Sequence, residues 1–512
     1  MVSFYTELFS TSGNLHNDIL EDITPAITPE MNTDLLALVT HEEVRKSLFQ
    51  MHPDKSLGPD GMTPSFFQKC WDIVGSDVVK LVRDFFDTAS IPEDLNNTNL
   101  ELILKKKNLE NMGDLRPIAL CNVVYKVSFK VMANRLKLFL ADIVFENQSA
   151  FVPGRLITDN ILVSFEIMHY LKRKGKGTVG QMALKLDMSK AYDRVEWPFL
   201  EVLLLKLGFH PRCVQLIMAL VVSVRYWISS GGKFLGHTTP SWGIHQGDPL
   251  SPYLFIICTE VLSSLIRKYE TKGWIKGCQV ARGAPHITHM FFANDSYLYC
   301  RAPEREAQMV MTLLEKYELA SGQIVNQEKS SIFFSKNTHS STQESSCSIM
   351  GMPEVGDDGF YLGLPNIMKH NKNAVLGFLK DKMRKRVESW DSKFLSRAGK
   401  EVLIKLVAQS LPNYAMSVFL IPKGICEDLE QLMCKFWWKS SSKNKSGIHW
   451  MKWDRMCEAK DQGGMVFRHL HDFNIALLGK QAWRLHTLTN SLVGKLFKAK
   501  YYPRGSFISV EL

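Results

Sequence analysis

The sequence predicts an α+β fold in which short strands of an antiparallel sheet alternate with amphipathic helices. Residues 181–187 alternate apolar and polar side chains with the period of two that is typical of a strand. Residues 287–292 and 297–300 are β-prone runs on either side of a short turn, which indicates a hairpin. Residues 123–140 and 160–172 are predicted to form long helices.

Length and composition agree with this fold class. The 512 residues suggest two to four structural units of roughly 100–200 residues each. Hydrophobic residues make up 45% of the chain, enough for a large core, and charged residues make up 22%, as in an ordinary soluble protein. The net charge of +10 weakly favours a polyanionic partner, although a mildly basic soluble protein would have the same balance.

The cysteines and the N-terminus indicate the compartment. Ten cysteines are scattered singly without a Cys-x-x-Cys pair, as expected in a reducing compartment. The N-terminus lacks the basic and apolar regions of a signal peptide, and the longest apolar run, residues 216–222, is too short to cross a bilayer. We therefore expect a cytoplasmic or nuclear protein without a membrane partner.

Local signals mark further elements. Thr40 begins a capping box and a short helix, and Thr63 followed by proline opens the next helix. Residues 335–348 are rich in Ser, Thr and Asn and are predicted to form a linker, after which the chain is mostly helical and basic. A basic cluster on one predicted helix could follow a nucleic-acid backbone or be a solvated face; its members are Lys380, Lys382, Arg384, Lys385 and Arg386.

Three segments could carry chemistry. Asp187 ends a predicted strand at a switch to a helix, where a carboxylate can hold a metal ion or cap the helix. Asn294 and Asp295 form the tip of the predicted hairpin, where they could meet the first carboxylate and share divalent cations, or form an ordinary turn. Residues 242–252 contain two glycines and two prolines, so this loop could approach a ligand closely or be a rigid turn.

In order, spacing and residue identity these segments resemble the catalytic motifs of reverse transcriptases, in particular those of plant non-LTR retrotransposons of the long interspersed type. The three motifs match residues 185–193, 246–252 and 292–295. Further segments typical of the plant elements lie along nearly the whole chain, namely residues 58–61, 115–118, 148–155, 326–330, 361–365, 396–399, 435–438 and 501–503.

The resemblance implies a right-hand polymerase with fingers, a palm built on an antiparallel sheet and a helical thumb. An N-terminal extension would occupy residues 1–54, the fingers with the first part of the palm 55–180, and the palm with the catalytic core 181–335. A thumb-like helical region would follow over 336–430, and a region rich in Trp and Lys over 431–512.

The resemblance also implies roles for individual residues. Asp187 and Asp295 match metal-binding catalytic carboxylates, and Lys329 matches a lysine near the triphosphate. The implied cofactor is a pair of Mg²⁺ ions, which Mn²⁺ could replace. The implied reaction is RNA-directed DNA synthesis, with an RNA template, a DNA primer or RNA–DNA duplex, and dNTP. Nucleotide-binding positions are matched by Arg116, Met188, Tyr192, Gln246 and Gly247.

The sequence departs from the family pattern where Asn294 stands in place of the first of two adjacent aspartates, and His245 replaces a usual arginine. An amide has one neutral acceptor oxygen, so it cannot balance divalent cations as a carboxylate does. The expected loss is about a thousandfold in rate, or roughly 4 kcal/mol. We therefore expect an impaired polymerase from a decayed or truncated copy. The alternatives are a catalytically dead nucleic-acid-binding remnant of the same fold and a maturase-like splicing factor.

Overall fold

The computed structural model describes residues 2–11, 17–105, 108–368, 371–390, 395–439 and 448–509. The strands are β1 (Asn97–Leu104), β2 (Leu115–Cys121), β3 (Gln181–Ser189), β4 (Arg225–Ser230), β5 (Lys233–Thr238), β6 (His289–Phe292), β7 (Asp295–Arg301), β8 (Ile324–Val325), β9 (Ser331–Phe334), β10 (Phe360–Tyr361) and β11 (Leu364–Pro365).

The helices follow the same chain order. They are α1 (Val2–Leu8), α2 (Pro29–Leu35), α3 (His41–Phe49), α4 (Pro64–Lys69), α5 (Trp71–Thr88), α6 (Val123–Lys137), α7 (Leu140–Ile143), α8 (Ile157–Arg173), α9 (Trp197–Lys206), α10 (Pro211–Val222), α11 (Ser251–Thr271), α12 (Glu304–Ser321), α13 (Ser340–Met350), α14 (Lys372–Leu376), α15 (Phe378–Glu388), α16 (Arg397–Leu403), α17 (Asn413–Met416), α18 (Lys423–Trp438), α19 (Trp453–Cys457), α20 (Leu470–Thr487) and α21 (Leu492–Tyr501).

Two compact units make up the chain. The first comprises Met1–Leu156, Lys174–Cys278 and His286–Glu354 and contains β1 to β9. The second comprises Ile157–Arg173, Gln279–Pro285 and Val355–Leu512, so α8 belongs to the same unit as the C-terminal helices. Helices and mostly antiparallel strands occur together, and the predicted α+β class is confirmed.

The first unit contains two sheets. One has the strand order β2-β1-β4-β5, in which β1 and β4 run parallel and the other neighbours run antiparallel. The other has the order β6-β7-β3-β8, with β9 also paired to β3, and all of its pairs are antiparallel. The strand and the hairpin predicted from residues 181–187 and 287–300 therefore lie side by side.

One face of β3 is fixed in the core of the first unit. Met182, Leu184 and Leu186 are buried in the same cluster as Phe255 of the central helix α11. Burial of an apolar side chain of this size stabilises a fold by about 1.5–3 kcal/mol. Since side chains alternate along a strand, Asp187 projects from the opposite face of β3.

Local capping signals in the sequence were sufficient to predict where two helices begin. The Thr40 side chain accepts a hydrogen bond from the backbone N–H of Glu43, and Thr63 caps α4 in the same way. Both predicted starts are confirmed because such caps use neighbours in the sequence. Across the described ranges, we find no helix whose length and hydropathy would suit a membrane span.

Two expectations are wrong. Asp187 does not lead into a helix, because Met188 and Ser189 extend β3 by pairing with β8, and α9 begins at Trp197. The alternative in which Asp187 caps a helix is thereby removed. The predicted linker over residues 335–348 instead contains most of α13, whose Met350 is fully buried in the core.

Candidate active site

Two acidic residues lie opposite each other on neighbouring strands of the five-stranded sheet. In the antiparallel pair of β3 and β7, Asp187 lies directly opposite Asp295. Directly opposite residues of such a pair project from the same face, with Cβ atoms about 4.5–5.5 Å apart. Burial raises the pKa of Asp295, the positive charge of Lys185 lowers it, and the negative charge of Asp187 raises it further. The structure thus brings together the strand end and the hairpin tip.

A two-residue turn holds Asp295 in this register. Phe292 pairs with Asp295, so Ala293 and Asn294 form the connection between β6 and β7. Ala293 has a φ of 53°, in the left-handed region that is unfavourable for a residue with a side chain. Its N–H donates a hydrogen bond to Oε1 of Gln148 at 3.1 Å. A side chain from a distant segment therefore stabilises the strained turn.

The segment that supplies Gln148 runs beside β6. The N–H of Ser149 donates to the carbonyl oxygen of Phe291 at 3.1 Å. Arg155 closes the segment on itself by donating to the carbonyl oxygen of Gln148 at 2.6 Å and to three further carbonyl groups between residues 141 and 145. Residues 148–155, which the sequence marked as a family segment without a role, thus brace the hairpin tip.

The turn after β8 holds the backbone of Asp187. The N–H of Asn326 donates to the carbonyl oxygen of Asp187 at 2.8 Å, and the N–H of Asp187 donates to Oγ of Ser330 at 3.1 Å. Lys329 lies exposed in this turn, where its own N–H donates to Oδ1 of Asn326 at 3.2 Å. Met188 continues β3 and pairs with β8.

Lys105 lies within electrostatic range of two further cations, Lys329 and Arg116. Burial lowers the pKa of Lys105, and the positive charges of Lys329 and Arg116 lower it further. Lys105 follows β1, and Arg116 is an exposed residue of the paired strand β2. Sequence reasoning assigned no role to Lys105, because lysines after a strand are common and only the folded chain brings this one within electrostatic range of Arg116 and Lys329.

A cleft of ≈ 690 Å³ lies in the first unit, and Tyr192, Gln246 and Gly247 line it. Lys55 and Lys130 contribute positive charge to the same walls. Burial raises the pKa of Tyr192 to about 12. Gly247 has a φ of 117°, which a residue with a side chain rarely adopts. The structure therefore places three of the predicted nucleotide-binding residues around one cleft.

Two segments that line this cleft are packed against each other. They are the β3–α9 turn, residues 190–196, and the β5–α11 loop, residues 239–250. The N–H of Ile244 donates to the carbonyl oxygen of Tyr192 at 2.8 Å. Gly243 has a φ of 88°, and a Cβ atom at this position would lie 2.7 Å from the carbonyl oxygen of Asp193. The close approach therefore requires glycine.

A buried hydrogen bond fixes the end of the β5–α11 loop. Nδ1 of His245 lies 2.8 Å from Oδ2 of Asp248, and Sγ of Cys121 donates to Oδ1 of the same carboxylate at 3.1 Å. All three side chains are buried. Since Gln246 and Gly247 lie between the two bonded residues, the histidine that replaces the usual arginine holds the part of the loop that lines the cleft.

The basic cluster of the second unit lies on α15, as the sequence predicted. Lys380 is engaged with Asp428, with Nζ and Oδ2 2.8 Å apart, and Arg384 lies 3.3 Å from Asp381. Because exposed ion pairs are worth little, neither pair prevents contact with a phosphate. The other three cations are exposed: Lys382, Lys385 and Arg386.

Metal-binding capacity is limited in this site. Within the ranges that the structure describes, no group of three or more His, Cys, Asp or Glu side chains is arranged to hold a metal ion. Asp187 and Asp295 are a pair of carboxylates, and Asn294 beside them offers an amide oxygen. The pair satisfies the requirement of Mg²⁺ for one or two carboxylates when substrate phosphates complete the coordination.

Two carboxylates on neighbouring strands of an antiparallel sheet, one of them beside a hairpin turn, can share divalent cations as polymerases require. The chain belongs to the reverse transcriptase (RNA-dependent DNA polymerase) family, whose model matches residues 103–363, half of the chain. The family predicted from the three motifs is confirmed.

Relatives point to mobile elements. The chain is 29% identical over 332 residues to an uncharacterized 149 kDa protein of transposon TX1 from Xenopus laevis, covering 64% of this chain and 25% of that protein. It is 25% identical over 262 residues to a retrovirus-related Pol polyprotein of the type-1 retrotransposable element R2 from Bradysia coprophila. The match covers 51% of this chain and 28% of that polyprotein. The chain thus spans about a quarter of the length of these relatives.

A plant relative is also similar. An uncharacterized mitochondrial protein of Arabidopsis thaliana is 42% identical over 104 residues, which cover 20% of this chain and 67% of that protein. The match to R2 polyproteins supports the non-LTR type predicted from the sequence, and the plant match is consistent with the predicted plant source.

Proposed function

We propose that this chain is the polymerase region of a non-LTR retrotransposon protein, which transfers a nucleotide from dNTP to a primer 3′-OH on an RNA template. The observation that carries the proposal is the register of β3 and β7, in which Asp187 lies opposite Asp295. Membership of the reverse transcriptase family and relatives from transposable elements support the reaction and the source.

In this proposal the chain is a right-hand polymerase. The sheet of β6, β7, β3, β8 and β9 belongs to the palm, β1 and β2 belong to the fingers, and the helices after residue 355 include the thumb. The boundaries after residues 54, 180, 335 and 430 stay predictions. The basic helix α15 would follow the backbone of a primer–template duplex.

The clustered cations would hold the triphosphate. Arg116 has the planar, bidentate donor geometry that suits a phosphate group, and Lys105 and Lys329 add positive charge beside it. In a polymerase, Lys329 would also stand near the leaving pyrophosphate, where its ammonium can supply a proton.

The cleft would hold the sugar and the base. Tyr192 would crowd a 2′-hydroxyl, so that deoxyribonucleotides are preferred, while Gln246 and Gly247 would line the nucleotide. The pairing of His245 with Asp248 keeps this wall of the cleft in place. Met188, which follows the first carboxylate in β3, would contribute its backbone carbonyl oxygen to the site.

Asp187 and Asp295 would hold Mg²⁺, with Mn²⁺ as a substitute. When bound, the two ions of this reaction type stabilise charge on the attacking and leaving oxygens. The protein's own contribution is to fix the two carboxylates on one face of the sheet, through the register of β3 and β7 and through Gln148 at the turn. Asn294 offers a neutral oxygen where a third negative charge belongs, which weakens the site.

A catalytically inactive nucleic-acid-binding remnant of the same fold is the second candidate, and Asn294 is the observation that favours it. Such a protein would keep the cationic cluster and α15 but would bind metal too weakly for synthesis. Both candidates predict binding to an RNA–DNA duplex that weakens as the salt concentration rises. They differ in nucleotide incorporation once the carboxylate is restored.

Primer extension with Mg²⁺ or Mn²⁺, measured for the unaltered chain and for the Asn294→Asp variant, distinguishes the two candidate functions. If the remainder of the site is sound, Asn294→Asp raises the rate about a thousandfold, because the lost charge is restored. The matched control is Asn294→Asp combined with Asp187→Asn, which has the same net charge as the unaltered chain and should stay inactive. An Asn294→Asp chain that binds the duplex without incorporating nucleotide supports the remnant, and near-normal synthesis by the unaltered chain would refute the impairment.

A further inference from the structure

The N-terminal strap, residues 2–11, consists of α1 and the three residues that follow it. Tyr5 and Phe9 are buried in a cluster with side chains of the four-stranded sheet. The ring centroids of Phe9 and Tyr226 in β4 are 5.1 Å apart. Aromatic pairs at this distance contribute beyond the area they bury, so the strap is anchored on the sheet.

The strap holds the beginning of the β5–α11 loop. Nε1 of Trp242 donates to the carbonyl oxygen of Leu8 at 2.7 Å, and the N–H of Ser241 donates to the carbonyl oxygen of Phe9 at 2.9 Å. The N–H of Thr11 donates to Oγ of Ser241 at 2.9 Å. Three hydrogen bonds thus hold the loop immediately before the glycine that approaches the β3–α9 turn.

The strap also holds both ends of the β3–α9 turn. At one end, Oγ1 of Thr11 lies 2.6 Å and 2.8 Å from the two carboxylate oxygens of the buried residue Glu196. At the other end, Nζ of Lys190 is buried without a hydrogen-bond partner among the described residues and lies 5.1 Å from the ring centroid of Phe4. Lys190 has a φ of 51°, so this cation–π contact stabilises an unfavourable backbone.

We propose that the N-terminal strap fixes the β3–α9 turn against the β5–α11 loop and thereby sets the affinity for the incoming nucleotide. The inference rests on the proposed function, because Tyr192 and Gln246 are nucleotide-binding residues only in a polymerase. Strap residues contact the flanks of the β3–α9 turn and the β5–α11 loop, whereas Tyr192 and Gln246 themselves line the cleft. A loosened strap therefore shifts the walls of the cleft without removing a wall residue.

The two carboxylates are held by other contacts. Asp187 is bound through its backbone by the turn after β8, and Asp295 is positioned by the hairpin that Gln148 braces. A variant of the strap should therefore raise KM for dNTP while leaving kcat nearly unchanged. A general loss of folded protein would lower kcat in proportion to the folded fraction and leave KM unchanged.

Thr11→Val tests the strap, because it removes the donor to Glu196 at nearly constant volume. The matched control is Thr6→Val, the same change at an exposed position of α1. In the Asn294→Asp background we expect Thr11→Val to raise KM for dNTP about tenfold, the effect of losing one charge-assisted hydrogen bond, with kcat within about twofold of the control. Phe4→Leu, which removes the ring over Lys190, should act in the same direction and serves if Thr11→Val does not fold.

Hydrogen exchange of the unaltered chain gives a readout that needs no activity. Thr11→Val should accelerate exchange in residues 190–196 and 241–247 but not in α12, relative to Thr6→Val. Absence of polymerase activity after Asn294→Asp would refute the proposed function, while the exchange experiment still decides whether the strap holds the two segments. Equal exchange in both variants, or a KM equal to that of the control, would overturn the strap inference.

Discussion

Asp193 shows how burial and nearby charge compete at a single residue. It lies in the β3–α9 turn, where its pKa is raised to about 6, because burial raises the pKa more than the positive charges of Lys190, Lys105 and Arg194 lower it. The carboxyl group therefore binds a proton more readily in the folded chain than in the unfolded chain. The stability that this protonation contributes is complete below the unfolded pKa, near 3.8, and is lost as the pH rises through about 6.

Asp193→Asn should flatten this pH dependence. The amide resembles the protonated carboxyl group and does not titrate, so the free energy of unfolding of the variant relative to the unaltered chain should increase between pH 4 and pH 7. The increase should be up to about 3 kcal/mol. Urea denaturation at several pH values measures it, with Asp142→Asn at an exposed position as the control. Parallel curves for Asp193→Asn and the unaltered chain would contradict the expectation.

The sequence motifs nominate candidate side chains for the site but do not reveal the contacts that hold them. Motif order singled out Asp187 and Asp295 as candidates, and the structure places these two residues directly opposite each other. The bracing roles of Gln148 and Arg155 could not be predicted, since Gln148 bonds to a turn about 145 residues away. Such pairing depends on the folded sheet and leaves no periodic signal in the chain.

Among the elements, the contact between the β3–α9 turn and the β5–α11 loop depends on one glycine, which has no side chain to obstruct it. Gly243 has a positive φ, and its Cβ position is 2.7 Å from a backbone oxygen. An alanine at position 243 would be strained in the left-handed conformation, and its Cβ atom would also push the two segments apart.

Gly243→Ala should therefore destabilise the chain more than a comparable glycine change. Gly231 is the matched control, because it also has a positive φ but no atom within 4 Å of its Cβ position. We expect Gly243→Ala to lower the free energy of unfolding by about 1–3 kcal/mol more than Gly231→Ala, as for overpacked sites. Denaturant midpoints measure the difference, and equal midpoints would mean that the segments can separate at no cost.

Elements set by local signals were predictable, and elements set by tertiary contacts were not. The starts of α3 and α4 followed from caps that use nearby backbone groups. The polar stretch that forms α13 looked like a linker because its composition hides its buried positions, where Ser346 donates to the carbonyl oxygen of Ala302 at 2.9 Å. Likewise, β3 extends past Asp187 because a partner strand from far along the chain is present.

For the whole molecule, charge governs the expected binding of nucleic acid. The chain has a net charge of +10, and in the second unit α15 concentrates exposed cations on one helix. Each phosphate contact that is lost should reduce the slope of log K against log salt by about 0.9 for duplex DNA.

Lys382→Gln combined with Lys385→Gln should reduce the salt slope for an RNA–DNA duplex by about 2. The control combines Lys423→Gln with Lys435→Gln, which makes the same change in charge on exposed positions of α18. Fluorescence anisotropy at several salt concentrations gives both slopes. If the two double variants behave alike, α15 has no special part in binding and only the overall charge matters.

The short connection between β6 and β7 also limits the sequence changes that this hairpin can accept. A substitution at Asn294 leaves the strand pairing intact, and one further codon change could restore the aspartate. An inserted or deleted codon in this connection would disturb the register of β6 and β7, in which Phe292 pairs with Asp295. A change of length here would therefore disturb the hairpin more than a substitution at Asn294 does.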